Sequence, residues 1–217
     1  MVALWNNVNL WPCIFPLFLP IPISPMASND STHPTEQSLM PTVFETFSFR
    51  PLVRRDLSML HGWLHRPHVA EWWNEPPTIA ELEQDYFSEE LAAFTTRAYI
   101  VSLAGDPIGF IQSYVALGSG GGWWEQETDP GVRGIDQFLV NGEQLGRGLG
   151  SSMVRAFVDQ LFQDPAVTRV QTDPSPRNER AIRSYQRAGF VIQGEVVTPD
   201  GPALLMLRYR ESHAPAP

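Results

Sequence analysis

The chain has 217 residues, 43% of them hydrophobic, and carries 15 basic against 24 acidic residues for a formal net charge of −9. That surplus argues against nucleic acid as a partner and favours a cationic one. Cys13 is the only cysteine, which excludes an intramolecular disulfide and a cysteine-built zinc site, and fits the reducing cytoplasm.

All the bases are arginines, and they are unevenly spread. From Glu71 to Asp136 acids dominate and only Arg97 and Arg133 oppose them, whereas Arg177, Arg180, Arg183 and Arg187 cluster near the C-terminus. A solvated acidic face would explain the middle as readily as a binding surface. Residues 1–42 look foreign to the rest. Leu10–Ser24 is apolar but interrupted by Pro12, Pro16, Pro20 and Pro22, so a membrane helix is not expected. No Lys or Arg precedes Arg50, so the positive start of a secretory signal is missing. We read 1–42 as a disordered or non-native leader, 43–212 as the domain and 213–217 as a tail.

The regular pattern starts near Val43. Phe47 and Phe49 alternate with polar residues as on a half-buried strand. Arg55–Leu64 reads as a helix with Leu57, Leu60 and Leu64 on one face, ended by Pro67. Thr78 and Glu81 form a capping box opening a helix to about Phe94. Ala98–Leu103 and Ile108–Leu117 read as a hairpin across Ala104–Pro107. A glycine-rich loop over Gly118–Gly131 carries Trp123 and Trp124, and Gly134–Val140 is the next strand. Gly148–Gln163 is an amphipathic helix, Val167–Thr172 a strand, and Asn178–Ala188 a helix stopped by Gly189. Two strands, Phe190–Val197 and Ala203–Tyr209, finish the domain. The order β-α-α-β-β-β-α-β-α-β-β predicts an α/β fold with a mixed, largely antiparallel sheet flanked by helices on both faces.

Gln144-Leu145-Gly146-Arg147-Gly148-Leu149-Gly150 lies between a strand and a helix. Its glycines permit positive φ, and the helix start presents unpaired amides and a positive dipole end, as an anion such as a pyrophosphate requires. A flexible loop before a capped helix fits the same spacing. No Gly-Lys-Ser/Thr follows, which excludes a Walker loop. His61, His65 and His68 offer a metal-like spacing, but the glutamate of H-E-x-x-H is missing and Pro67 intervenes, so no metal is expected. The serines have no triad context.

Further on, Asn178, Ala181, Ile182, Tyr185, Ala188, Gly189 and Phe190 spell N-x-x-A-I-x-x-Y-x-x-A-G-F. Together with the glycine turn, this resembles the GNAT superfamily of N-acetyltransferases over about Thr46 to Arg210. Leu145 departs from the family pattern, which has Gln or Arg there. Within the superfamily the chain is similar to aminoglycoside 6′-N-acetyltransferases, through Glu71-Trp72-Trp73, Gln112–Gly120, Gly122-Trp123-Trp124-Glu125, Glu127–Gln137, Gln171–Pro176 and Thr198–Pro202.

The resemblance implies the GNAT fold, an antibiotic-modifying activity and acetyl-CoA as cosubstrate. The cosubstrate would be held by Phe138, Leu139, Val140, Leu145, Gly146, Arg147, Gly148, Leu149, Gly150, Ser151 and Asn178. An aminoglycoside is a hydroxylated polycation, so its site should offer carboxylates and aromatic faces: Trp73, Tyr86, Trp123, Trp124, Glu125, Asp136, Asp173 and Asp200. Asp173 and Asp200 read equally as turn acids, and one tryptophan of each pair is expected to pack. Asp136, inside an apolar strand, needs a reason to be there. We expect Asp136 to take the amine's proton and Tyr185 to protonate the leaving thiolate, without a covalent enzyme. A siderophore precursor or other small amine is the alternative substrate. A monomer or weak homodimer is expected, with neither nucleic acid nor membrane as partner.

Overall fold

The computed structural model describes residues 46–73, 77–88 and 96–210. The expected leader and tail, and residues 89–94 of the expected second helix, lie outside these. In chain order the elements are β1 (Phe47–Pro51), α1 (Leu57–Leu64), α2 (Pro67–Ala70), α3 (Ile79–Phe87), β2 (Arg97–Leu103), β3 (Asp106–Val115) and β4 (Val132–Leu139). Then follow α4 (Leu149–Leu161), β5 (Arg169–Thr172), α5 (Glu179–Arg187), β6 (Val191–Thr198) and β7 (Gly201–Tyr209).

The first helix ends at Leu64 as expected, but its proline does more than stop it, and the next capped helix is shorter than expected. Pro67 does not merely follow α1. It occupies the first turn of α2, where its missing N–H costs nothing and its fixed φ suits a helix start. The capping box on α3 is present, with Thr78 N donating to Glu81 Oε2 at 2.7 Å and Glu81 N to Thr78 Oγ1 at 3.2 Å. The helix nevertheless closes at Ser88, whose backbone is extended at φ −68°, ψ 149°, short of Phe94. Among the described residues no helix is long and apolar enough to cross a membrane.

Among the described residues seven strands form one sheet in the order β1-β2-β3-β4-β5-β7-β6. Only β4 and β5 run parallel, joined by the α4 crossover; the remaining neighbours are antiparallel. The strand period puts alternate residues on opposite faces, and each face has its own core. On one, Met153, Val154, Phe157 and Val158 of α4 and Tyr185 of α5 pack on Val101, Ile111, Ile135, Leu139 and Val170. On the other, Leu57, Leu60 and Leu64 of α1 and Leu82 of α3 pack on Ile100, Phe110 and Phe138.

The sheet opens in its middle. β4 and β5 pair only from Val132↔Arg169 to Gly134↔Gln171. β5 ends at Thr172, and Pro174 and Pro176 follow. Proline has no N–H to extend a ladder, so the chain leaves β4 while β4 runs on to Leu139. Val132 O and Val140 N bond toward β3, so by strand alternation the peptide groups of Gln137 and Leu139 face the gap.

Candidate active site

The gap leads into a cleft of about 480 Å³ lined by β4, the turn before α4, α5 and the end of α2. Its floor is the free edge of β4, at Gln137, Phe138 and Leu139. At one end Gly146 and Gly148 hold φ +75° and +88°, which a side chain would strain. Gly148 caps α4 without a side-chain bond, and the first intrahelical donor is Ser152 N, to Gly148 O at 3.0 Å. The amides of Leu149, Gly150 and Ser151 are therefore left to a ligand at the helix's positive end. Gly150 lets α4 approach α5: a Cβ there would sit 3.3 Å from Ser184 Oγ. Arg180, Arg183 and Arg187 line the opposite wall. A long chain with amide and phosphate groups fits this cleft, its anionic part at the glycine turn.

Leu145, Gly146, Gly148, Gly150, Ser151, Asn178, Phe138 and Leu139, all expected at the cofactor, line the cleft. Asn178 also caps α5, accepting from Ala181 N at 3.0 Å. The side chains of three expected residues do not line the cleft. Leu149 packs against the core, Arg147 is exposed, and Val140 is buried with its carbonyl accepting from Arg66 Nη1 at 2.7 Å. Neither Gln137 nor His68 was expected in the cleft. His68 Nε2 donates to the Leu139 carbonyl at 3.0 Å, so this histidine, which drew attention as a metal candidate, braces the free end of β4.

The second half of the site lies on the α1–α3 face of β4. Asp136 accepts from Gln112 Nε2 at 2.9 Å, and Gln112 Oε1 in turn accepts from the Tyr86 hydroxyl at 2.9 Å. Gln112 and Asp136 are cross-strand partners. Tyr86 thus orients Gln112, so that its amide and not its carbonyl meets the carboxylate. Asp173 lies in the field of both Asp136 and Asp200, and Asp136 in that of Asp200. Burial, above all, pushes the Asp136 carboxyl upward against the Gln112 bond, and Asp200 adds to it. Asp173 is pushed up to about 7 by burial, then by Asp136 and Asp200.

Aromatic groups close this acidic hollow. Trp124 Nε1 donates to the Tyr114 hydroxyl at 3.0 Å, and the Trp123 and Trp124 rings lie 6.0 Å apart. Tyr114 crosses over Gly134, where a Cβ would fall inside its ring. At Gly122 a Cβ would meet Pro199 at 3.3 Å, so the tryptophan loop adjoins the β6–β7 turn that bears Asp200. Glu125 is exposed on the same loop. Trp73 instead packs edge-on against Phe138 and Phe110, at 5.1 and 5.8 Å, and lines the cleft.

Tyr185 links the two halves. It is 4% exposed, and Thr172 of β5 and Gln137 of β4 are the polar side chains that act on its hydroxyl. Burial raises its proton affinity far above that of a free phenol, so it stays protonated and able to donate.

The family model for the acetyltransferase (GNAT) domain matches residues 53–198. The chain belongs to the GNAT acetyltransferases. It is 52% identical over 181 residues to an aminoglycoside N(6′)-acetyltransferase type 1 from Klebsiella pneumoniae, covering 82% of this chain and 90% of that one. Among solved structures it is similar to AAC(6′)-Ib in complex with paromomycin and acetyl-CoA. The TM-score there is 0.74 and the identity 55%, over 77% of this chain and 96% of the other. AAC(6′)-Ib with coenzyme A and kanamycin matches over the same shares, with TM-score 0.73 and 56% identity. Signals for Gln112 and Tyr114 were present in the run Gln112–Gly120, but their roles depend on the β3–β4 register, which local pattern does not carry.

Proposed function

We propose that this GNAT enzyme transfers the acetyl group of acetyl-CoA to the 6′-amino group of aminoglycosides, by direct attack of the amine. The observation that carries the reading is the meeting of two unlike sites at β4. On one side lies a cleft with an anion-binding helix start; on the other, a three-aspartate hollow walled by tryptophan and tyrosine. A polycation with sugar rings needs the second, and a nucleotide thioester needs the first.

Acetyl-CoA supplies the activated acyl group. The free amides of Gln137 and Leu139 are placed to polarise its carbonyl. Asp136, whose proton affinity burial raises, takes the proton from the substrate ammonium and frees the nitrogen lone pair to attack. Tyr185 returns a proton at the sulfur as the C–S bond breaks. Asp173 and Asp200 hold neighbouring ammonium groups, and the tryptophan loop covers a sugar face. Acetyl-CoA, the protein and kanamycin together should release free thiol at a rate that depends on all three. No thiol release with any aminoglycoside would overturn the proposal.

A further inference from the structure

The tryptophan loop between β3 and β4 has few apolar anchors, and Gly118, Gly120, Gly121 and Gly122 all take positive φ. Its far half is held differently. Glu127 Oε1 accepts from the amides of Thr128 and Asp129, both at 2.9 Å, while Glu127 Oε2 pairs with Arg169 Nη2. Asp129 Oδ1 accepts from Gly131 N at 2.7 Å. Its other oxygen accepts from Thr168 Oγ1 at 2.6 Å and lies 3.7 Å from Arg169 Nη1. Gly131 closes the contact, since a Cβ there would meet Ala166 O at 2.5 Å. The side chains of Glu127 and Arg169 are 11% and 25% exposed, so the pair is partly shielded from water and salt.

Arg169 opens β5, and Asp173 follows the end of that strand. We infer that Arg169, Glu127 and Asp129 form a clamp that positions Trp123 and Trp124 over the substrate aspartates, rigidly tied to the strand leading to Asp173. The clamp also sorts the loop's acids. Glu127 is paired with Arg169 and Asp129 is engaged by Gly131, Thr168 and Arg169, so neither is turned to the polycation, whereas Glu125 stays exposed. Arg169 is a positioning residue: it acts on the aminoglycoside through the loop and has no part in the cofactor cleft. This inference rests on the aminoglycoside reading above.

Steady-state kinetics of Arg169→Met test it. The expected result is a KM for kanamycin raised about tenfold, the worth of one shielded charge-assisted contact, with kcat and the KM for acetyl-CoA within about twofold of wild type. Arg169→Lys should recover part of the loss, because an ammonium faces one carboxylate at a time. Arg208→Met, which breaks the Arg208–Asp159 pair between β7 and α4 on the opposite face of the sheet, should lower Tm without moving the kanamycin KM. If Arg169→Met does not fold, Glu127→Gln carries the same test. It keeps the Oε1 acceptor and loses the ion pair, with a several-fold rise in kanamycin KM expected. An unchanged kanamycin KM, or equal rises in both KM values, overturns the clamp while wild-type turnover leaves the functional reading intact. A wild type that turns over no aminoglycoside overturns both.

Discussion

Asp136 is the only acid in β4, and it can stand there because its cross-strand partner on β3 is Gln112, itself fixed by Tyr86. A carboxylate so held can accept a proton without swinging away. Asp136→Asn should lower kcat at least about 100-fold while the KM for acetyl-CoA stays near wild type. Tyr185→Phe should cost less, about tenfold in kcat, because a thiol of pKa about 8.5 is already a fair leaving group. Single-turnover thiol release checks both, and near-normal rates in both variants would contradict the assigned roles. Asp173 gives a pH prediction with a definite sign. Its carboxyl rises from 3.8 to about 7 on folding, so in that window the folded free enzyme binds more protons than the unfolded chain. This group's contribution to stability therefore falls as pH rises from about 4 to about 7. A bound polycation favours the ionised form, so kanamycin should raise Tm more near pH 8 than near pH 5. Thermal melts with Asp173→Asn should show a smaller difference between the two.

At the scale of elements, the site exists because two neighbouring strands part. Gly134 sits at the last β4–β5 pair with the Tyr114 ring across it. Gly134→Ala should overpack this point, costing about 1–3 kcal/mol by denaturant titration and raising the aminoglycoside KM as Tyr114 and Trp124 shift. Unchanged stability would contradict the packing described. The glycine turn, the amphipathic α4 and the Asn178-to-Gly189 helix were legible in the sequence, because each is a local pattern with a local cause. Asp136 was legible for the opposite reason, as an acid out of place. Pro67 follows the end of α1 as expected and also opens α2, because a proline that ends one helix can start the next. The end of α3 at Ser88 was not signalled by any glycine or proline nearby. His68, Gln112 and Arg169 could not be read as site or positioning residues, since their partners Leu139, Asp136 and Glu127 are brought to them by sheet register and crossover.

For the whole molecule, the formal charge of −9 is less informative than its placement. Three aspartates share one hollow on one side of β4, while arginines of α5 line the cleft on the other. Opposite fields thus draw a polycation and a polyanion to opposite sides of the same strand. Raising ionic strength from about 0.05 to about 0.5 M should lower kcat/KM for kanamycin by about tenfold at fixed saturating acetyl-CoA. A flat salt profile would contradict electrostatic capture. The central claim is that the amine at the 6′ position is what reaches Asp136 and the acetyl group. Parallel thiol-release assays with kanamycin, which has a 6′-amine, and paromomycin, which has a 6′-hydroxyl, test it most directly. The account predicts sustained turnover with kanamycin, its product acetylated at the 6′ nitrogen by NMR, and none with paromomycin. Equal turnover of the two, or an acetyl group on another nitrogen, would contradict it.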